Sequence, residues 1–456
     1  MLSALIGALS FFPFAAQAEP WNGAVTTTAN IFTATVIGFG GREWVVIGND
    51  TEGGVYSSYT ANTSPSSTVA PTNSITLLLK SGSAGSGYAN STFNASNAPF
   101  NYSGQDYYNY YNGQTLQVAL AGIADGLGKE KNVINARDLV PVTENNGWCY
   151  SGICTFYDVL DTGDGINGTA ANGQLLWALS YPEWDQLDGE VKKYTGTWWL
   201  RSPGDTSTYA LAGWPDGSDY DPNLVHNSSY AVRPAFNLDL TSVLFTSESA
   251  ASSGKSGVTV GSAYSVPASP TGAQKYTFLV DQNVIKTPEL ILTGGTSGLN
   301  FAFTGAETGT NMYVSGFLQG NSTDHYYAKY ADAASLASGI FDAAGSDGAL
   351  TGVSDGSYLL HIFGEEANAP LYSDFASESV DFQAEVNNGA VERLFLLHSP
   401  VSFGINNGAR LGFRRGARIA GNFTVAANAN LDFYLPDMSI NNTVLLTVDN
   451  AVTLVG

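Results

Sequence analysis

Basic residues are scarce in this 456-residue chain: 18 Lys and Arg face 40 Asp and Glu, a formal net charge of −22. A molecule this acidic repels phosphate backbones and anionic headgroups, so nucleic acid is excluded as an expected partner. Cysteine is scarcer, with two residues, Cys149 and Cys154 in WCYSGIC. Two thiols without histidine at metal spacing cannot build a four-ligand zinc site. In an oxidising compartment they would close one small loop as a disulfide, and two buried thiols are the alternative. The four histidines, His226, His325, His361 and His398, are scattered, and neither HExxH nor GxSxG occurs. Each reads as a surface or packing residue. No carboxylate pair stands out for glycoside chemistry, so neither catalysis nor a cofactor is expected. The acidic run DVLDTGDGING offers Asp158, Asp161 and Asp164 to a cation but lacks the ligand order of an EF-hand loop, and reads as a solvated turn.

Charged residues make up only 13% of the chain, against about 25% in ordinary domains, so Ser, Thr, Asn and Gly must carry the solvated surface. With 51 glycines and 24 tyrosines, the composition suits sheets joined by many turns and few long helices. The length predicts two or three domains. At the start, MLSALIGALSFFPFAAQA is an apolar run interrupted by Pro13 and closed by Ala16-Gln17-Ala18, the small-x-small pattern of a signal-peptidase site. Residues 1–18 are therefore expected to be a signal peptide, although a basic start is lacking, and the mature chain should begin near Glu19. No other stretch has the length of a membrane-spanning helix.

Along the chain, VIGFGGREWVVIG places two strand-like runs around Gly40-Gly41, a hairpin signal, and SITLLLK reads as a further strand. Leu116, Leu120, Ile123 and Leu127 fall at helical spacing. A second helix is expected over Tyr181–Tyr194, with Pro182 at its start and Lys192 and Lys193 in its last turn. Residues 247–272 are rich in Ser, Gly, Ala and Pro and read as a linker. From 273 to 388, short alternating runs such as YTFLV, LNFAFTG and SYLLHIF predict a β-sandwich of the immunoglobulin-like kind. The tail, 389–456, consists of short apolar pulses separated by turns, the pattern of an incomplete β-solenoid, with a last sheet of the sandwich as the alternative. Its Arg410, Arg414, Arg415 and Arg418 form the one basic cluster, read as charge that keeps a sheet edge soluble.

Between Trp198 and Leu238 the chain reads WWLRSPG, then a Tyr-, Ser- and Asp-rich segment, then YAVRPAFNL. With FGGREWVVIG and INARDL upstream, these blocks resemble a family of exported bacterial domains of unknown function, although Ala231 stands where that family usually has Gly. The resemblance implies a C-type-lectin-like α+β domain, placed here at 19–246, like that of retroelement-diversified binding proteins and formylglycine-generating enzymes. The β-rich segment that follows resembles the module often found after such domains, and the tail resembles the start of an autotransporter passenger. That last likeness implies outer-membrane attachment through a C-terminal barrel.

Cys149 and Cys154 lie too early and too close together to match the thiols of the formylglycine-generating relatives. The sugar-binding motifs of calcium-dependent lectins are missing too. Apolar anchors Trp198, Trp199, Leu200, Phe236 and Leu238 bracket the polar segment Asp205–Tyr230. Its Tyr209, Trp214, Asp216, Ser218, Asp219, Tyr220, Asp221, Asn223, His226, Asn227, Ser228 and Tyr230 have paratope-like chemistry, in which rigid aromatics are mixed with small hydrogen-bonding groups. A recognition face for a protein or glycan at the cell surface is expected, the alternative being a polar cover over a sheet. Arg201 and Arg233 read as braces of the fold. The whole reads as an exported, adhesin-like binding protein. A structural envelope protein, or an enzyme of the formylglycine type, is the alternative.

Overall fold

A computed structural model of the chain describes residues 21, 35–49, 53–54, 73–82, 88–92, 95, 100–102, 105–107, 115–137, 173–185, 187–203, 208–250, 254–267, 272–293, 300–320, 325–333, 336–343, 353, 355–387, 390–433 and 446–455. The segment 1–18, the Cys149 and Cys154 pair and the acidic run 158–168 lie outside the described residues. Among the described residues the fold is mostly β, 53% strand against 10% helix, so strand pairing organises the core. The strands among the described residues form sheets of 17, 3, 6 and 2 members.

The expected hairpin is present. Val36–Phe39 pairs antiparallel with Arg42–Asn49, Phe39 opposite Arg42. Gly40 and Gly41 between them have φ of 59° and 73°, the left-handed pair that a two-residue turn matching strand twist requires. Arg42–Asn49 pairs in turn with the fully buried strand Ser74–Leu79, which pairs with Ala235–Asp239. Phe236, on that last strand, lies against the Phe39 and Trp44 rings at 4.8 and 4.7 Å. Thr115–Asp125 is the expected helix, with Leu116 and Leu120 buried and Leu127 buried just past its end. The next turn, Gly128–Val133, carries buried Glu130. Its carboxylate accepts from the amides of Gly40 at 2.9 Å and Ser373 at 2.7 Å. Burial pushes it up to about 7 despite those two donors.

The second helix is a correction: the chain forms two short helices, Tyr181–Asp185 and Gly189–Lys192. Ser180 and Glu183 open the first by a reciprocal capping box, amide to carboxylate at 2.8 Å and amide to hydroxyl at 3.3 Å. Asp188 caps the second through the Glu190 amide at 2.8 Å. A capping Asp followed by Gly favours a new start over continuation.

The stretch 247–272 also departs from expectation, because its described residues are packed. Lys255, Val258 and Val266 are buried. Ala263–Val266 pairs with His325–Asp332, and Val243–Glu248 pairs with Gln274–Leu279. Its polar composition read as a solvated connection, yet Lys255 is buried through ion pairs instead of apolar contact.

Further on, Met312–Gln319, His325–Asp332, Gly356–Glu366 and Asp374–Asn387 pair antiparallel. A second sheet holds Glu289–Thr293, Asn300–Thr304 and Gly339–Asp342. The two face each other where Phe301 meets Phe382 at 5.4 Å. Ala390–Ser399 still pairs antiparallel with Asp374–Asn387, and from there onward the pairing becomes parallel. Phe403 lies beside Phe423 and Phe423 beside Val452, while Leu411 lies beside Leu431. Arg418 bridges to Asp449 at 2.7 Å and Arg414 to Glu385 at 3.0 Å, and Arg410 pairs with Asp432. Three of the four clustered arginines thus pair with acids; the Arg415 side chain lies outside the described residues.

Candidate recognition face

The segment after WWLRSP folds as a three-stranded antiparallel sheet in which Tyr209–Gly213 is central, between Trp198–Pro203 and the edge strand Tyr220–Leu224. Its inner residues Trp198, Trp199, Leu200, Ala210, Leu211 and Ala212 are buried. The anchors therefore hold a hairpin whose tip is Trp214–Asp219, closed by the Trp214 amide on the Asp219 carbonyl at 2.9 Å. That tip is seated, because the Tyr194 amide donates to the Pro215 carbonyl at 2.9 Å. Gly217 (φ 72°) leaves 2.7 Å between a would-be Cβ and the Lys192 Cβ. Gly217→Ala is accordingly expected to cost about 1–3 kcal/mol, from the left-handed backbone and the clash together. Urea unfolding measures the loss, and an unchanged midpoint would contradict this seating.

The twelve predicted residues come together on this hairpin and the turn after it, but they divide. Trp214, Asp216, Ser218, Asp219, Asp221, His226 and Ser228 are exposed, whereas Tyr209, Tyr220, Asn223, Asn227 and Tyr230 are half-buried. Tyr220 packs on Tyr181 at 4.4 Å, and Tyr230 packs on Trp199 at 4.8 Å while donating its hydroxyl to Asn223 at 2.6 Å. These tyrosines support the face more than they display it. Asn227 accepts the Ser229 amide at 3.0 Å, which shapes the turn. Outward, the indole N–H of Trp214 donates to Asp221 at 2.9 Å, which fixes a ring that is 37% exposed. Asp216 accepts from the Ser218 hydroxyl at 2.7 Å and amide at 3.0 Å, bonds that hold its carboxyl below the usual range. The edge strand carries Pro222 at its centre, which blunts it against pairing with an added strand.

The arginines behind this face are braces, as their sequence context predicted. Arg233 donates to the Leu79 and Val191 carbonyls at 2.9 and 2.8 Å and lies between the Tyr194 and Trp198 rings at 4.8 and 4.7 Å. Burial lowers it to about 9. Arg201 donates to the Ala178 carbonyl at 2.8 Å and pairs with Glu183, whose other oxygen meets Arg137 of INARDL at 2.8 Å. Burial alone would raise Glu183, but Arg201 and Arg137 bring it down to about 2. WLRSPG, VRPAFNL, FGGREWVVIG and INARDL therefore converge on one core beneath the hairpin.

No protein-family model, curated protein or solved structure matches this chain. Its chemistry must be read from its own residues. Among the described residues no group of three or more His, Cys, Asp or Glu is arranged for a metal ion.

Sequence reading missed a second cluster, fully buried. Lys255 Nζ donates to Thr277 Oγ1 at 2.7 Å and Asp374 Oδ2 at 2.6 Å, and also to Glu365. Lys275 Nζ meets Asp374 Oδ1 at 2.9 Å, and Tyr327 donates to Glu365 Oε2 at 2.6 Å. Burial would raise Asp374, but Lys255 and Lys275 hold it below the usual carboxylate range. The cluster left no sequence signal because Lys255 and Asp374 are 119 residues apart and belong to no motif.

Proposed function

We propose that the chain is an exported, cell-surface recognition protein, adhesin-like, whose ligand is read by the hairpin tip around Trp214. The observation that carries this reading is the exposed Trp214 indole, held rigid by Asp221 and flanked by exposed Asp216 and Asp219. A fixed aromatic face beside carboxylates suits a sugar ring, through stacking and hydrogen bonds, or a basic protein surface, through cation–π and ionic contact. Pro222 disfavours capture by strand addition, so side chains do the reading. The C-type-lectin-like fold, the immunoglobulin-like sandwich and the β-solenoid tail complete the proposal. Buried anchors beneath a polar hairpin support the first, facing sheets the second and parallel rungs the third. The signal-peptide pattern at residues 1–18 supports export, and the rungs support a stalk attached at the outer membrane.

The test is binding of the full chain to a glycan array and to host and microbial cells, with Trp214→Ala and Asp221→Asn as variants. Loss of a central aromatic anchor is expected to weaken binding about 30-fold, with the melting temperature kept. Cell adhesion undiminished by Trp214→Ala would return the chain to the structural-envelope reading.

A further inference from the structure

The buried cluster around Lys255 holds an amine in direct contact with two carboxyl groups. Lys255 and Lys275 are both buried and share Asp374, but they play different parts. Lys275 Nζ is held by the Asn368 carbonyl at 2.6 Å, the Ala369 carbonyl at 3.1 Å and the Ser256 hydroxyl at 3.2 Å, and shares its hydrogens between these and Asp374. It points at Asp374 Oδ1, which also accepts the Asn368 amide at 2.6 Å. Two donors on one carboxyl oxygen make the arrangement that stabilises an oxyanion at that atom. Lys255 Nζ meets the other oxygen, Oδ2, at 2.6 Å. It lies against the Phe245 and Tyr327 rings at 4.7 and 4.6 Å, and its remaining contacts are Thr277 and Glu365. One proton passing across the 2.6 Å contact from Nζ to Oδ2 gives the neutral amine and acid that a condensation needs, against the pull of Lys255 and Lys275, which favour the Asp374 carboxylate. Amine and carboxyl are held at contact distance, the entropic part of a condensation already met by the fold.

We propose that this is a self-modification site, at which Lys255 and Asp374 condense to an intramolecular amide with Glu365 as the proton carrier. The Lys255 Nζ lone pair attacks Asp374 Cγ, forming the C–N bond and placing negative charge on Oδ1 between Lys275 and the Asn368 amide. Glu365 takes a proton from Nζ and delivers it to Oδ2. The Cγ–Oδ2 bond then breaks and water leaves. An ammonium and a carboxylate become one amide and one water, so charge and atoms balance without an oxidant, nucleotide or metal. Glu365 returns as a carboxylate, positioned throughout by the Tyr327 hydroxyl. The bond would join the turn Lys255–Gly257 to the start of strand Asp374–Asn387, closing a covalent loop through the sandwich. This inference stands on the cluster alone and is independent of the recognition reading.

Denaturing digestion of the folded full chain followed by tandem mass spectrometry tests it. The expected product is a branched peptide joining the Lys255 and Asp374 segments, lighter than their sum by one water. Glu365→Gln, checked for folding by a cooperative melt, is expected to yield the two segments as linear peptides. Lys275→Met is expected to slow the appearance of the branch in freshly refolded protein. Linear peptides alone from the folded wild type overturn the proposal. A branch through Lys275, or through Glu365 as the acyl partner, overturns the assignment of roles. A branch formed undiminished in Glu365→Gln removes Glu365 as the proton carrier.

Discussion

Glu183→Gln is expected to destabilise the chain by about 3–5 kcal/mol, although it changes neither size nor shape. Glu183 lies between Arg137 and Arg201 with all three side chains buried. Removing its charge leaves two guanidinium groups without a counter-charge, and an unpaired buried charge costs far more than the pair contributes. The same carboxylate also caps the helix Tyr181–Asp185 through the Ser180 amide, so the loss reaches the helix on which Tyr220 packs. The pH dependence has a definite sign. Glu183 is held at about 2 in the folded chain against 4.5 for a free glutamate. Its stabilisation is therefore fully present above about 4.5 and is lost as pH falls through about 2. Melting curves across that window should show the wild type losing stability and Glu183→Gln, already without the charge, losing less. Equal acid sensitivity of the two proteins would contradict the assignment of Glu183 as the ionised centre of this triad.

Local rules made part of this architecture legible. The Gly40-Gly41 turn, the helix at Thr115–Asp125 and the short strands after residue 399 follow from turn chemistry and spacing within a few residues of chain. The buried strands Trp198–Leu200 and Phe236–Leu238 on either side of the polar segment were legible for the same reason. What the pattern could not give was which aromatic turns inward. Tyr220 and Trp214 are alike in composition terms, yet only the strand register and the helix beneath decide that Tyr220 packs and Trp214 is displayed. The break at Asp188 turned on competition between two cap sites, which periodicity does not report. Lys255 was unreadable for a stronger reason. A lysine in a Ser- and Gly-rich stretch signals solvent, and only carboxylates more than 100 residues away reverse that expectation.

Trp21→Ala is expected to cost about 3–5 kcal/mol, a loss of the same order from the opposite end of chemistry. Trp21 is 7% exposed. It stacks on His361 at 4.1 Å with the rings 3° from parallel, and it touches Phe363, Phe317 and Phe245 at 5.4, 5.5 and 5.8 Å. Its amide donates to the Leu244 carbonyl at 2.6 Å, so backbone and ring are both engaged. Removal would open a cavity among Phe245, Phe317, Phe363 and the His361 ring, and would loosen the His361 contact with Asp381 at 2.8 Å. The position gives the experiment a second arm. Trp21 follows the expected signal-peptidase site by three residues, so processing there keeps it. Chains starting at Glu19 should therefore match the full stability, and chains starting at Gly23 should lose as much as Trp21→Ala. A loss below about 1 kcal/mol in both arms would mean that the indole is replaceable in its pocket, which large-to-small substitution among packed aromatics does not allow.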